Sequence, residues 1–125
     1  MKILIVDDVL GWRNHHKQIL LEMFEGADIY TADSARAGYD LLLQHNDTPF
    51  DIIISDMQME EDFEPKYAGE WFVEQVKTFK SYYNTKIIIV SAAYNISQIA
   101  ESLGVKYIRK STAMQFPDSY NFLKD

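Results

Sequence analysis

The stretch Lys2-Ile3-Leu4-Ile5-Val6-Asp7-Asp8 decides the fold. Four aliphatic residues in a row, bounded by polar ones and too short for a helix, read as a strand buried on both faces, as in a parallel sheet. Three further runs follow the same design: Ile52 to Ile54 before Asp56, Ile87 to Val90 before Ser91, and Tyr107-Ile108 before Lys110. Parallel strands end on one edge of their sheet, and open α/β sheets bind ligands just outside that edge. Asp7, Asp8, Asp56, Ser91 and Lys110 are therefore expected to be neighbours in space.

Segments of helical spacing separate the strands. Trp12, His16, Ile19, Leu20 and Met23 follow an i, i+4, i+7, i+8, i+11 pattern and make one apolar face. Ile29 to Ala32 reads as a second strand, and Ser34 can cap a helix whose Ala35, Gly38, Tyr39 and Leu42 share a face. Asn46 to Pro49 breaks that helix before a strand at Asp51 to Ser55. Phe72, Val73, Val76 and Phe79 give a third helix, and Ile96, Ile99, Ala100 and Leu103 a fourth, stopped by Gly104. At the end, Pro117 allows only a short helix of about two turns to Lys124, with Phe116, Tyr120 and Leu123 as its apolar side. Five βα units with a short or irregular fifth helix imply right-handed crossovers and helices on both faces of the sheet. The doubly wound, five-stranded parallel α/β architecture of order 2-1-3-4-5 fits this pattern, with the first and third strands flanking the topological switch point.

Composition narrows the function classes. The 125 residues suit one domain over 1–125, with enough surface to bury for folding without staples. The chain has no cysteine, which removes disulfides, thiolate metal sites and Cys nucleophiles. A formal charge of −7, from 19 acidic and 12 basic residues, argues against direct nucleic-acid binding, which rests on clustered Lys and Arg. No apolar run approaches the roughly 20 residues that span a bilayer, and Asp7 comes too early for a signal peptide. A soluble, cytoplasmic chain that does not engage a membrane is expected.

The strand-end cluster has its own chemistry. Two carboxylates about 4 Å apart repel by roughly 4 kcal/mol at an effective dielectric of 20, so three together need countercharge. Lys110 supplies one positive charge, and a hard divalent cation such as Mg²⁺ suits carboxylate oxygens and bridges to phosphate. A carboxylate is also a nucleophile toward phosphorus, giving an aspartyl phosphate. In-line transfer then needs positioning and charge neutralisation more than covalent machinery.

These residues resemble the receiver domain of two-component response regulators, of flavodoxin-like fold, over essentially the whole chain. The resemblance rests on Ile-Val-Asp-Asp ending at Asp8, Asp56 within Ile-Ser-Asp-Met-Gln-Met, Gly69 opening the next helix, Ser91-Ala92, and Tyr107-Ile108-Arg109-Lys110. It implies a signalling switch in which Asp56 takes a phosphoryl group from a histidine kinase or a histidine phosphotransfer protein. It further implies that Mg²⁺ (or Mn²⁺) is held by Asp8, by Asp7 through water, by Asp56 and by the carbonyl of Gln58. Lys110 would pair with the phosphoryl group, and Ser91 would hydrogen-bond it while Tyr107 rotates inward. Gln58 and Ala93, on the expected path of attacking water, imply a moderately short-lived phosphoryl state. Output would pass to a protein partner or to an effector following this chain.

Simpler readings stand beside these. Asp7 or Asp8 could only cap the first helix, Ser91 could be a turn residue and Tyr107 an ordinary strand aromatic. His15 and His16 are adjacent on a helix and have no partner at i+4 for a metal; His16 is expected packed on the apolar stripe with one hydrogen bond. The run Glu60, Glu61, Asp62, Glu64 lacks the spacing of an EF-hand loop and reads as a solvated acidic loop. The chain also departs from the family. Ser111 stands where receivers usually carry Pro, so a trans bond is expected after Lys110. Gly69 follows Asp56 by 13 residues, which implies an enlarged acidic loop that could screen partners by charge. A pseudo-receiver acting as a phosphorylation-independent interaction module is the alternative. A phosphohydrolase or flavin protein on a related fold is disfavoured, because the Asp-x-Asp motif and a Gly- or Thr-rich phosphate loop are missing.

Overall fold

A computed structural model describes residues 1–59 and 67–125 of the chain. Five strands, β1 (Lys2–Val6), β2 (Asp28–Ala32), β3 (Ile52–Ser55), β4 (Lys86–Ser91) and β5 (Lys106–Arg109), form one parallel sheet in the order β2-β1-β3-β4-β5. Helices α1 (Leu10–Met23), α2 (Ala35–Gln44), α3 (Ala68–Thr78), α4 (Ile96–Leu103) and α5 (Lys110–Gln115) alternate with them. The expected topology is the one observed.

The aliphatic runs are continuous because both faces of the sheet are covered. Ile3, Ile5, Ile52, Ile54, Ile88, Val90 and Ile108 point to a core shared with Ile19 and Leu20 of α1. Leu4, Val6 and Ile53 point the other way, against Leu42 of α2 and Phe72 and Val76 of α3. Ile89 packs with Val73 and with Ile96 of α4. The period of two along each strand thus sorts residues between two cores rather than between core and water.

Local signals also hold. Ser34 caps α2, its hydroxyl accepting from the Ala37 amide at 3.0 Å. Gly104, at φ 71°, ends α4 in the left-handed conformation that glycine adopts without a Cβ penalty, and the Val105 amide closes on the Ala100 carbonyl at 3.0 Å.

The C-terminal segment differs from its expectation. An α-helix begins at Lys110 itself, and a 3-10 run covers Pro117–Lys124. Tyr120 and Leu123 are buried as expected, but Phe116 is 59% exposed. It precedes the 3-10 run, with φ −128° and ψ 90°, outside any helical spacing, and so does not share the buried side. The acidic run Glu60 to Glu64, where an enlarged loop is expected, lies outside the described residues. Among the described residues no helix is long and apolar enough to cross a membrane.

Candidate functional site

The four strand ends converge. Asp7 follows β1, Asp56 follows β3, Ser91 ends β4 and Lys110 follows β5, at one edge of the sheet. Parallel pairing holds the first two together: the Asp56 amide donates to the Val6 carbonyl at 2.9 Å, immediately beside Asp7. Asp7, Asp8 and Asp56 bring carboxylate oxygens within 4.8 Å of one another. Asp7 and Asp56 are buried, and Asp8 is half-buried.

Lys110 reaches into this cluster from the start of α5. Its Nζ lies 3.0 Å from Asp56 Oδ2 and 3.1 Å from Asp7 Oδ2. The second contact is an ion pair without hydrogen-bond geometry, so Asp7 Oδ2 is a buried oxygen lacking a directed donor. The other oxygens are better served. Asp56 Oδ1 accepts from the amides of Met57 at 2.7 Å and Gln58 at 3.3 Å. Asp7 Oδ1 accepts from the Val9 amide at 2.9 Å. Val9, not an aspartate, stands at the N-cap of α1, and no side chain caps that helix. Asp7 therefore shapes the approach to α1 without being its cap.

Lys110 is shared between Asp7 and Asp56, and burial weighs against both carboxylates. Burial pushes the Asp56 carboxyl above the usual range, against the opposing pull of Lys110, the Ser91 hydroxyl and the Gln58 amide. Burial likewise raises Asp7; the Asp56 charge adds to it, while the Val9 amide and Lys110 oppose it. A hard cation with oxygen preference matches this donor set.

Other expected residues are placed as follows. Ser91 is fully buried, and its Oγ accepts from the Ala93 amide at 3.2 Å. Gln58 is exposed and Ala93 buried, both within two residues of site positions. Tyr107 stands outside the cluster, 40% exposed, with the Arg109 guanidinium 5.8 Å from its ring. His16 is buried, its Nδ1 bonded to Tyr120 Oη at 2.8 Å, while His15 Nε2 meets the Ala113 carbonyl at 3.2 Å. Neither histidine joins the carboxylates.

Two contributions were not read from the sequence. Gly69 lies so close beneath Asp56 that a Cβ there would stand 1.9 Å from the Asp56 carbonyl oxygen and 2.6 Å from Met57 Cα. The amide of Gly69 donates to the Met57 carbonyl at 3.0 Å, which pins the N-terminus of α3 to the loop after β3. The sequence marks Gly69 as a helix opener, and only the fold shows what it approaches. The spacing puts Trp12 on the apolar stripe, yet Lys110 Nζ lies 5.0 Å from its ring centroid. Its place in the first turn of α1, next to the sheet edge, was the available signal.

Comparison with known proteins agrees with this geometry. The chain is similar to the chemotaxis protein CheY4 of Vibrio cholerae at 26% identity, over 87% of this chain and 85% of that one, with a TM-score of 0.68. It is similar to a response regulator receiver domain protein of Clostridium thermocellum at 26% identity, over 98% and 92%, with a TM-score of 0.71. The Mn²⁺-bound form of the response regulator Rcp1 shares the fold at 16% identity, over 98% and 88%, with a TM-score of 0.75. No curated protein sequence matches the chain. The family model for the response regulator receiver domain matches residues 3–115, and the chain belongs to that family of two-component signalling switches.

Proposed function

We propose that this chain is a phosphorylatable receiver: Asp56 accepts a phosphoryl group from a histidine kinase or a histidine phosphotransfer protein, and the phosphorylated form signals by a change of conformation. The observation that carries the reading is the Asp56 carboxylate, buried, flanked by two further carboxylates and touched by one ammonium at 3.0 Å. An anionic nucleophile is thereby oriented by two backbone amides and left next to a cation that can receive the incoming phosphoryl oxygens.

In the transfer, a carboxylate oxygen of Asp56 attacks phosphorus in line. The bond to the donor imidazole nitrogen breaks, and its electron pair leaves with the imidazole, which takes up a proton. Lys110 and the Ser91 hydroxyl donate to the phosphoryl oxygens, and Tyr107 turns inward from its contact with Arg109. Hydrolysis reverses the state: water attacks phosphorus, the Asp56–phosphorus bond breaks, and inorganic phosphate leaves. Gln58 and Ala93 beside that path leave the phosphoryl group moderately short-lived.

Mg²⁺ or Mn²⁺ fits the residues present. Asp7, Asp8 and Asp56, with the Gln58 carbonyl, offer hard oxygen donors, the carboxylate oxygens lying within 4.8 Å of one another, and Asp7 Oδ2 is a buried oxygen without a directed partner. When bound, such an ion supplies neutralisation of charge on the phosphoryl oxygens.

The test is incubation with acetyl phosphate and Mg²⁺ followed by intact-protein mass spectrometry. A gain of one phosphoryl group is expected, absent in Asp56→Asn and in excess chelator. No gain from small donors or histidine phosphodonors, with a partner still bound, replaces the proposal with that of a phosphorylation-independent interaction module.

A further inference from the structure

Lys110 carries a long, flexible stem, and its tip meets two carboxylates, Asp56 Oδ2 at 3.0 Å and Asp7 Oδ2 at 3.1 Å. The side chain is only 12% exposed, so water is largely kept from it. Its ammonium faces the ring of Trp12, with Nζ 5.0 Å from the ring centroid. An ammonium near an indole is attracted by the ring's quadrupole, and the attraction grows as water is excluded.

Trp12 is itself fixed. His15 meets its ring edge-on at a centroid distance of 5.3 Å, and His16 lies against it at 5.4 Å. Each histidine is tied to the C-terminal segment that carries Lys110: His15 to the Ala113 carbonyl in α5, His16 to Tyr120 in the 3-10 run. Lys110, Trp12, His15 and Ala113 thus close a circuit between α1 and α5.

We infer that Trp12 is the positioning residue for Lys110, an aromatic wall that keeps the ammonium at the carboxylates where the phosphoryl group arrives. The role in phosphorylation rests on the receiver reading given above; the wall itself does not. Trp12 touches neither Asp56 nor Asp7 in any ion pair or hydrogen bond described, so it acts through Lys110.

Acylation of the whole protein by an amine-reactive acetyl ester, read by peptide mass spectrometry, tests the wall without phosphorylation. Relative to exposed Lys17, Lys110 is expected to react slowly in the wild type and in Trp12→Phe, which keeps a π face. In Trp12→Leu, which keeps apolar volume alone, its reactivity is expected to rise about fivefold at unchanged far-ultraviolet circular dichroism. Equal reactivity in Trp12→Leu and wild type overturns the inference, as does Trp12→Phe reacting like Trp12→Leu. Should Trp12→Leu fail to fold, the contact is read from the other side in Trp71→Phe, where Trp12 is the one tryptophan left of two. Lys110→Met is then expected to shift the emission, and an unchanged spectrum overturns the contact. With acetyl phosphate, Trp12→Leu is expected to be phosphorylated about fivefold more slowly and Trp12→Phe within about twofold of wild type. Equal rates in all three remove the positioning role. Absence of phosphorylation in the wild type removes the receiver reading instead, and the acylation contrast still decides whether Trp12 holds Lys110.

Discussion

The two edges of the sheet handle charge in opposite ways. At the amino edge, Lys2 Nζ meets His45 Nδ1 at 2.7 Å, the Thr48 carbonyl at 2.5 Å and Thr48 Oγ1 at 2.9 Å, and Lys86 Nζ donates to the Leu123 carbonyl and to a main-chain oxygen of Asp125. These cations tie chain ends and loops together with mostly neutral acceptors, near water. At the carboxyl edge, Lys110 is shared between two buried carboxylates, Asp7 and Asp56, Asp8 lies close beside them, and one buried oxygen, Asp7 Oδ2, has no directed donor. The amino edge is satisfied and structural. The carboxyl edge buries two carboxylates whose ionisation burial disfavours, which costs stability and keeps affinity for a cation and a phosphoryl group. Functional sites commonly trade stability in this way.

The contrast is broken most severely at Lys110. Lys110→Met is expected to slow acetyl phosphate-dependent phosphorylation by about 100-fold, the usual effect of losing one preorganised donor, as measured by intact mass over time. Gly69→Ala comes next, because the new methyl group meets backbone and not a yielding side chain. A loss of about 2 kcal/mol in urea unfolding is expected, with slower phosphorylation as Asp56 is displaced.

Below the site, His16 gives a pH signature. Burial, with smaller contributions from His15 and Lys110, lowers its pKa from 6.5 to about 3. The unfolded chain therefore binds a proton that the folded chain refuses between those values. Its contribution is unchanged above pH 6.5 and is lost progressively as pH falls toward 3. Unfolding free energy should drop by at most about 1.4 kcal/mol per pH unit from this group, and His16→Phe should flatten the slope.

Asp7→Asn sharpens the contrast in the other direction. With the folded pKa of Asp7 raised by burial and by Asp56, its ionisation costs stability once pH rises above the ordinary carboxyl value, so a neutral isostere relieves the fold at neutral pH. A gain on the order of 1 kcal/mol is expected in thermal unfolding without Mg²⁺, together with a smaller rise in Tm when Mg²⁺ is added. The smallest effect belongs to the amino edge. Lys2→Met should cost under about 1 kcal/mol and leave phosphorylation unchanged, since its hydrogen bonds are exchanged with water.

Much of this was legible in the chain because parallel strands buried on both faces leave a direct mark: Ile3 to Val6, Ile52 to Ile54 and Ile87 to Val90 have no alternation to hide in. Residues that follow such runs fall on one edge by topology, so Asp7, Asp56, Ser91 and Lys110 could be grouped before any distance was known. The C-terminal segment was harder. Lys110-Ser111-Thr112-Ala113-Met114-Gln115 carries one buried residue, Ala113, and so no apolar period to announce a helix. Helical spacing puts Phe116 on the side of Tyr120 and Leu123, but the backbone leaves helical geometry at that residue.

By itself, then, the order of residues determined the parallel sheet, its strand order and the set of groups at its carboxyl edge, because burial periodicity and crossover handedness are local and chiral constraints. Only the tertiary structure decided which atoms touch. The approach of Gly69 to Asp56, the placement of Lys110 beside Trp12, and the bond from His16 to Tyr120 join residues far apart in sequence. Such contacts depend on how α1, α3 and the C-terminal segment pack on the sheet, which no spacing along the chain encodes.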